Sequence, residues 1–139
     1  METRIAISQR SSCRNYCAKM VEEWKLEELL QAGIAAPVAH ARYADYRLTV
    51  IKDAAFLSKW DNLSSEKEGD HPLYGAPVQI LVSGCFSGEI SDSSFYLSAG
   101  CIAENIALAA TDLGLGSVLL AAPVRAMNQH PQLVAELSL

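Results

Sequence analysis

The sixteen residues NIALAATDLGLGSVLL, 105 to 120, carry a single charge, Asp112. They overlap a longer run, Ser94 to Leu113, whose spacing predicts the longest helix of the chain. Phe95, Ile102, Ile106, Ala109 and Leu113 fall on one face, and Leu97, Cys101 and Leu108 on the other. A helix with leucines on both faces needs neighbours on both sides. It runs either through the middle of a domain or between two subunits. Gly114 stops it, because a glycine just past the last turn tolerates the left-handed conformation.

The rest of the chain alternates between helical and extended patterns. Residues 2 to 9 read as a short helix, and RSSCRNYCAKM, 10 to 20, as an ordered loop. From Glu22 to Ala36, residues Trp24, Leu26, Leu29, Leu30, Ile34 and Ala35 recur at helical spacing. Pro37 ends that helix, since the residue before a proline avoids the helical basin. Tyr46 to Lys52 has the alternation and β-branched content of a strand, and Asp53 caps a helix to about Trp60. SSEKEGDHP is a solvated loop, and Val78 to Ser83 is a strand covered on both faces. Phe86 to Ser91 continues as a turn or an edge. Ser117 to Ala121 reads as a strand, and Val124 to Leu137 as a final helix with Pro123 near its start. The expectation is one domain over residues 1–139, of the α/β or α+β class, with a mixed sheet flanked by helices.

Composition removes several function classes. Half the residues are hydrophobic, 19% are charged and the net charge is −5. That balance supports a core and gives no global attraction to nucleic acid or to an anionic membrane. The longest stretch free of charged residues, His71 to Gly88, is broken by two prolines and three glycines, so no membrane span is expected. METRIAISQR lacks the apolar core of a secretory leader. The four cysteines, 13, 17, 85 and 101, form no CxxC pair, and buried or idle thiols in a cytoplasmic protein are expected. The motifs of serine hydrolases, P-loop enzymes and zinc proteases are absent, and no metal site is expected. Chemistry on such a chain falls to a bound cofactor.

Three short stretches could serve one. Arg10-Ser11-Ser12-Cys13-Arg14 places two guanidiniums and two hydroxyls within five residues, a set suited to an anion; a solvated basic loop is the plainer alternative. Ala36-Pro37-Val38-Ala39-His40 ends a helix in small residues whose backbone can approach a flat ligand, although a simple helix terminus has the same look. Ala121 and Ala122, after Gly114-Leu115-Gly116-Ser117, could let a planar group lie close to the main chain.

Taken together, and in this order, these stretches resemble the nitroreductase-like flavoprotein family. RSSCRNY is similar to that family's opening RRSxRxY, with Ser11 at the second basic place. LLQAGIAAPVAHARYADYRLTVIKD resembles its helix, turn and strand. YGAPVQILVS and SAGCIAENIALAATDLGLGSVLL match its later strand and long helix. The resemblance implies an α+β nitroreductase-like fold, a homodimer with the long helix in its interface, and FMN in a groove between subunits. It also implies hydride transfer from NADH or NADPH to a nitroaromatic, quinone or similar acceptor. By position, Arg10, Ser11 and Ser12 would hold the FMN phosphate and ribityl chain. Pro37, Val38 and Ala39 would line the cofactor, and Leu120, Ala121 and Ala122 would lend backbone near flavin N5. Arg14 matches the basic residue beside the pyrimidine end of the ring. A cation about 4 Å from charge gained there is worth on the order of 4 kcal/mol at a surface-like dielectric, before desolvation.

The chain ends at AELSL, where the family continues into a strand that reaches the partner's sheet and into further basic contacts to the phosphate. The expectation is therefore a C-terminally short member. Its alternative function is that of a non-catalytic interaction protein that dimerises but holds flavin weakly or not at all.

Overall fold

The computed structural model describes residues 1–85 and 92–139. Its centre is a two-stranded antiparallel sheet whose strands are separated in sequence by a helix. Strands β1 (Tyr46–Ile51) and β2 (Gln79–Gly84) pair antiparallel, with Tyr46 opposite Gly84, Val50 opposite Ile80 and Ile51 opposite Gln79. Successive side chains on a strand point to opposite faces. Val50 and Ile80 accordingly face a core built on Leu26, Leu29 and Ala110, while Ile51 and Leu81 face one built on Phe56, Leu57, Trp60, Met127 and Leu133. Both faces of the sheet are covered, as the uninterrupted apolar run of β2 requires.

The first core is formed by α2 (Glu23–Ile34) and α4 (Asp92–Asp112). They approach closely at Gly33, where a Cβ would lie 3.0 Å from Ile106 Cδ1 and 3.1 Å from Leu48 Cδ1. Asn105 Nδ2 donates to Ala32 O at 3.1 Å, satisfying a carbonyl near the end of α2. The second core joins α3 (Ala54–Ser64), α5 (Ala122–Gln129) and α6 (Pro131–Glu136). Asp53 caps α3 by accepting from Phe56 N at 2.7 Å, and Trp60 Nε1 donates to Pro123 O at 2.9 Å inside the core. The short α1 (Thr3–Gln9) lies against α4.

Three expectations need correction. Ser117 to Ala121 forms no strand; its ladder is a single parallel bridge between Ser12 and Ser117. The apolar run there has another cause. Leu115 packs on the α2–α4 core and Leu120 on the α3–α5 core, so the segment crosses from one to the other. The final helix is two helices, because Pro131 holds His130 extended at φ −121°, ψ 82°. Trp24 is exposed, since two residues along a helix from Leu26 lies the far side of the cylinder. The cysteines are free, but none is fully buried. The expected turn or edge at Phe86 to Ser91 lies outside the described residues. The described sheet is the antiparallel β1–β2 pair, and the Ser12–Ser117 bridge is an isolated parallel pairing outside it.

Candidate functional site

The loop that follows α1 is extended, and its register is set by one contact. Cys13 N donates to Ser117 O at 2.9 Å, and Ser12 and Ser117 form the parallel bridge. This places residues 10–14 beside the segment that leads from α4 into α5. Ser11, Ser12 and Arg14 are exposed, and Arg14 makes no ion pair among the described residues. Arg10 is half-buried; its Nε lies 3.6 Å from Glu104 Oε1 of α4. The anion loop therefore starts with one cation already facing a carboxylate and ends with another open to solvent.

The turn after α2 is held from the same helix. Ala39 N donates to Ser98 Oγ at 2.9 Å, and Ser98 Oγ donates in turn to Ser94 O at 2.9 Å. Ser98 is a buried hydroxyl and both of its hydrogen bonds are made. His40 and Ala41, next in the turn, both have φ of 55°, a left-handed conformation that costs a side-chain-bearing residue about 1–2 kcal/mol. A turn carrying that strain is maintained by its surroundings, and the Ser98 bond is one such restraint. Val38 also forms part of the wall of an apolar cleft of about 350 Å³, with Leu30, Gly33, Ile34, Tyr43 and Tyr46; the loop 10–14 does not line it.

Helix α4 thus serves both stretches, Ser98 toward the turn and Glu104 toward the loop, six residues or about 9 Å apart along the axis. Leu120, Ala121 and Ala122 lie further along the segment that pairs with the loop, in a form the sequence reading missed. Ala121 has helical angles and caps α5, Ala122 is its first residue and Pro123 its second. They are a helix N-terminus, whose first amides have no intrahelical acceptor, and not a strand end. The signal was Pro123, favoured in a first turn.

One side chain in the loop has a displaced titration. Burial, reinforced by the adjacent Cys13 thiol and opposed by Arg14, pushes the Tyr16 phenol from 10.0 up to about 12. Among the described residues no cluster of three or more metal-ligating side chains occurs, and no helix is long and apolar enough to cross a membrane.

These features define an α+β domain in which one long helix contacts both an arginine-serine loop and a strained helix-end turn. The model of the nitroreductase family matches residues 7–133, and the chain belongs to that family. No curated protein matches it. Among solved structures, a nitroreductase with bound FMN from Bacteroides fragilis superposes with a TM-score of 0.84 at 24% identity, over 99% of this chain and 79% of that one. A structure from Desulfovibrio desulfuricans in complex with FMN is 31% identical, with a TM-score of 0.77 over 99% of this chain and 76% of that one. A protein from Parabacteroides distasonis, named as an NADH dehydrogenase or NAD(P)H nitroreductase, is 24% identical with a TM-score of 0.76, over 94% of this chain and 77% of that one.

Proposed function

We propose that this chain is an FMN-dependent oxidoreductase, working as a homodimer, that draws reducing equivalents from NADH or NADPH and delivers them to a nitroaromatic, quinone or similar acceptor. The observation that carries the reading is the Ser12–Ser117 bridge, which sets an anion-suited loop against the segment that leads from α4 into α5. Family membership and the FMN held by a 31% identical relative support it.

The residues fit the cofactor in chemistry. A phosphate in a protein of net charge −5 needs local cations and hydroxyls, and Arg10, Ser11 and Ser12 offer them in a loop whose two serines are exposed. Arg14 would balance negative charge gained by the ring system on reduction. Pro37, Val38 and Ala39, braced by Ser98, would line one side, and the amides of Leu120, Ala121 and Ala122 would face the other. FMN, when bound, supplies the two-electron centre that the side chains lack. The chain's own work is to hold, orient and charge-balance it.

Two copies would bury apolar surface that one copy leaves in water. Ile5 and Ile7 on α1, and Tyr96 and Leu97 on α4, are exposed, Leu97 by 74%. A weak-binding, non-catalytic member is the competing reading, and the Glu104 carboxylate beside Arg10 is the observation on its side.

Purified protein titrated with FMN decides between them. The expected result is quenching of FMN fluorescence, a visible flavin band that stays with the protein on gel filtration, and NADH or NADPH oxidation with a quinone. Absence of a retained band after FMN addition would overturn the proposal.

A further inference from the structure

We propose that Gly116 is a positioning residue, kept free of a side chain so that Cys13 can seat against it and hold the arginine-serine loop in register with Ser117, on the segment that leads into α5. The proposal rests on the flavin reading above.

Two glycines flank Leu115, and they are glycine for different reasons. Gly114 has φ of 70° and open space where a Cβ would be, so its backbone conformation explains it. Gly116 is the reverse. Its φ is not in the left-handed region, yet a Cβ there would lie 2.9 Å from Cys13 Sγ and 3.0 Å from Cys13 Cβ, with Tyr16 Cε1 at 3.5 Å. The requirement at 116 is close approach of another chain segment.

Cys13 cannot step aside cheaply. Its thiol donates to Asn15 O at 3.2 Å and its amide donates to Ser117 O at 2.9 Å. The second close atom is its own Cβ, which moves only with the backbone. A methyl group at 116 must therefore push the loop away from Ser117 and stretch the bond that sets their register. Arg10, Ser11, Ser12 and Arg14 all lie within three residues of Cys13 and would move with it. The pairing is one bridge long, so nothing else along the segment restores it.

The test pairs Gly116→Ala with Cys13→Gly, which removes both close atoms from the other side. Gly100→Ala is the control, because a Cβ at Gly100 meets nothing within 4 Å. FMN affinity is read by fluorescence quenching, and the bond to Ser117 by hydrogen exchange of the backbone amide at position 13, taken relative to the same residue in the unfolded chain. Gly116→Ala is expected to weaken FMN binding about tenfold and to speed exchange of that amide, both reversed in the double variant, with Gly100→Ala unchanged. Unaltered affinity in Gly116→Ala overturns the proposal, as does a loss that Cys13→Gly does not reverse. If the wild-type chain binds no FMN, the flavin reading fails. Exchange of the amide at position 13 then decides alone: unchanged exchange in Gly116→Ala overturns the seating of Cys13, and faster exchange reversed by Cys13→Gly upholds it. Should Gly116→Ala not fold, Cys13→Val crowds the same contact from the loop side and is expected to act alike.

Discussion

Ser98 Oγ accepts a hydrogen bond from Ala39 N–H across 59 positions of sequence, and so ties the turn after α2 to the long helix. Removing the hydroxyl leaves that amide unpaired next to two left-handed residues. Ser98→Ala is expected to cost about 1–3 kcal/mol in denaturant unfolding and to weaken FMN binding as well, because the turn that lines the cofactor loosens. Ser98→Thr keeps the hydroxyl and should recover much of the binding. Equal losses in Ala and Thr would show that volume, not the bond, matters there.

Glu104 faces Arg10 at 3.6 Å, with both side chains partly exposed. Such a pair contributes about 1 kcal/mol or less to stability. A phosphate taking the same guanidinium must compete with that carboxylate and is repelled by it. Glu104→Gln is expected to tighten FMN binding severalfold at low salt, with little change in melting temperature. The gain should shrink as ionic strength rises, since exposed charges are screened. Titrations at two salt concentrations check both parts.

Much of this arrangement was legible in the sequence, and the failures have physical causes. Asp53 was readable as a cap because a cap is a local contact, made within three residues. Strands β1 and β2 and both major helices were readable because their patterns run over enough residues to stand out, whereas the pairing of the two strands across α3 was not. Ser117 to Ala121 was misread because an apolar run of five has no period of its own, and here it bridges two cores instead of joining a ladder. The residues of the anion loop stood out by composition. The contacts of Ser98 with the turn after α2, and of Glu104 and Gly116 with the loop, did not, because the first spans 59 positions and the other two more than 90, and no local pattern announces them.

Leu97 is 74% exposed on the helix that carries both site contacts, and Tyr96 beside it is 64% exposed. If two copies meet on α4, a charge at 97 would be buried without a partner. Leu97→Asp is then expected to weaken self-association by about tenfold or more in sedimentation or light scattering, with the monomer still folded. Association unchanged by Leu97→Asp would move the interface elsewhere.

Tyr16 gives the site a defined alkaline limit. Its phenol is raised from 10.0 to about 12, chiefly by burial, so the folded chain keeps a proton that the unfolded chain has released over that interval. Fewer protons bound in the unfolded state means that stability falls as pH climbs from about 10 to about 12, and the contribution is intact below that window. An ultraviolet phenolate titration of the folded protein should show Tyr16 ionising late. Tyr16→Phe should remove that step and flatten the decline of stability across the same range.

Arg14 is the remaining cation of the loop, exposed and without an ion pair among the described residues. If it balances charge on reduced flavin, its removal makes reduction harder, and the midpoint potential must move in the negative direction. Arg14→Ala is expected to lower the two-electron potential by about 30–60 mV, taking roughly 30 mV per 1.4 kcal/mol and a screened surface charge. Arg14→Lys keeps the charge and should return most of the shift, although it loses the planar fork. Spectroelectrochemical titration of the three proteins separates this role from simple anchoring: an anchoring arginine changes FMN affinity equally for oxidised and reduced flavin and leaves the potential where it was.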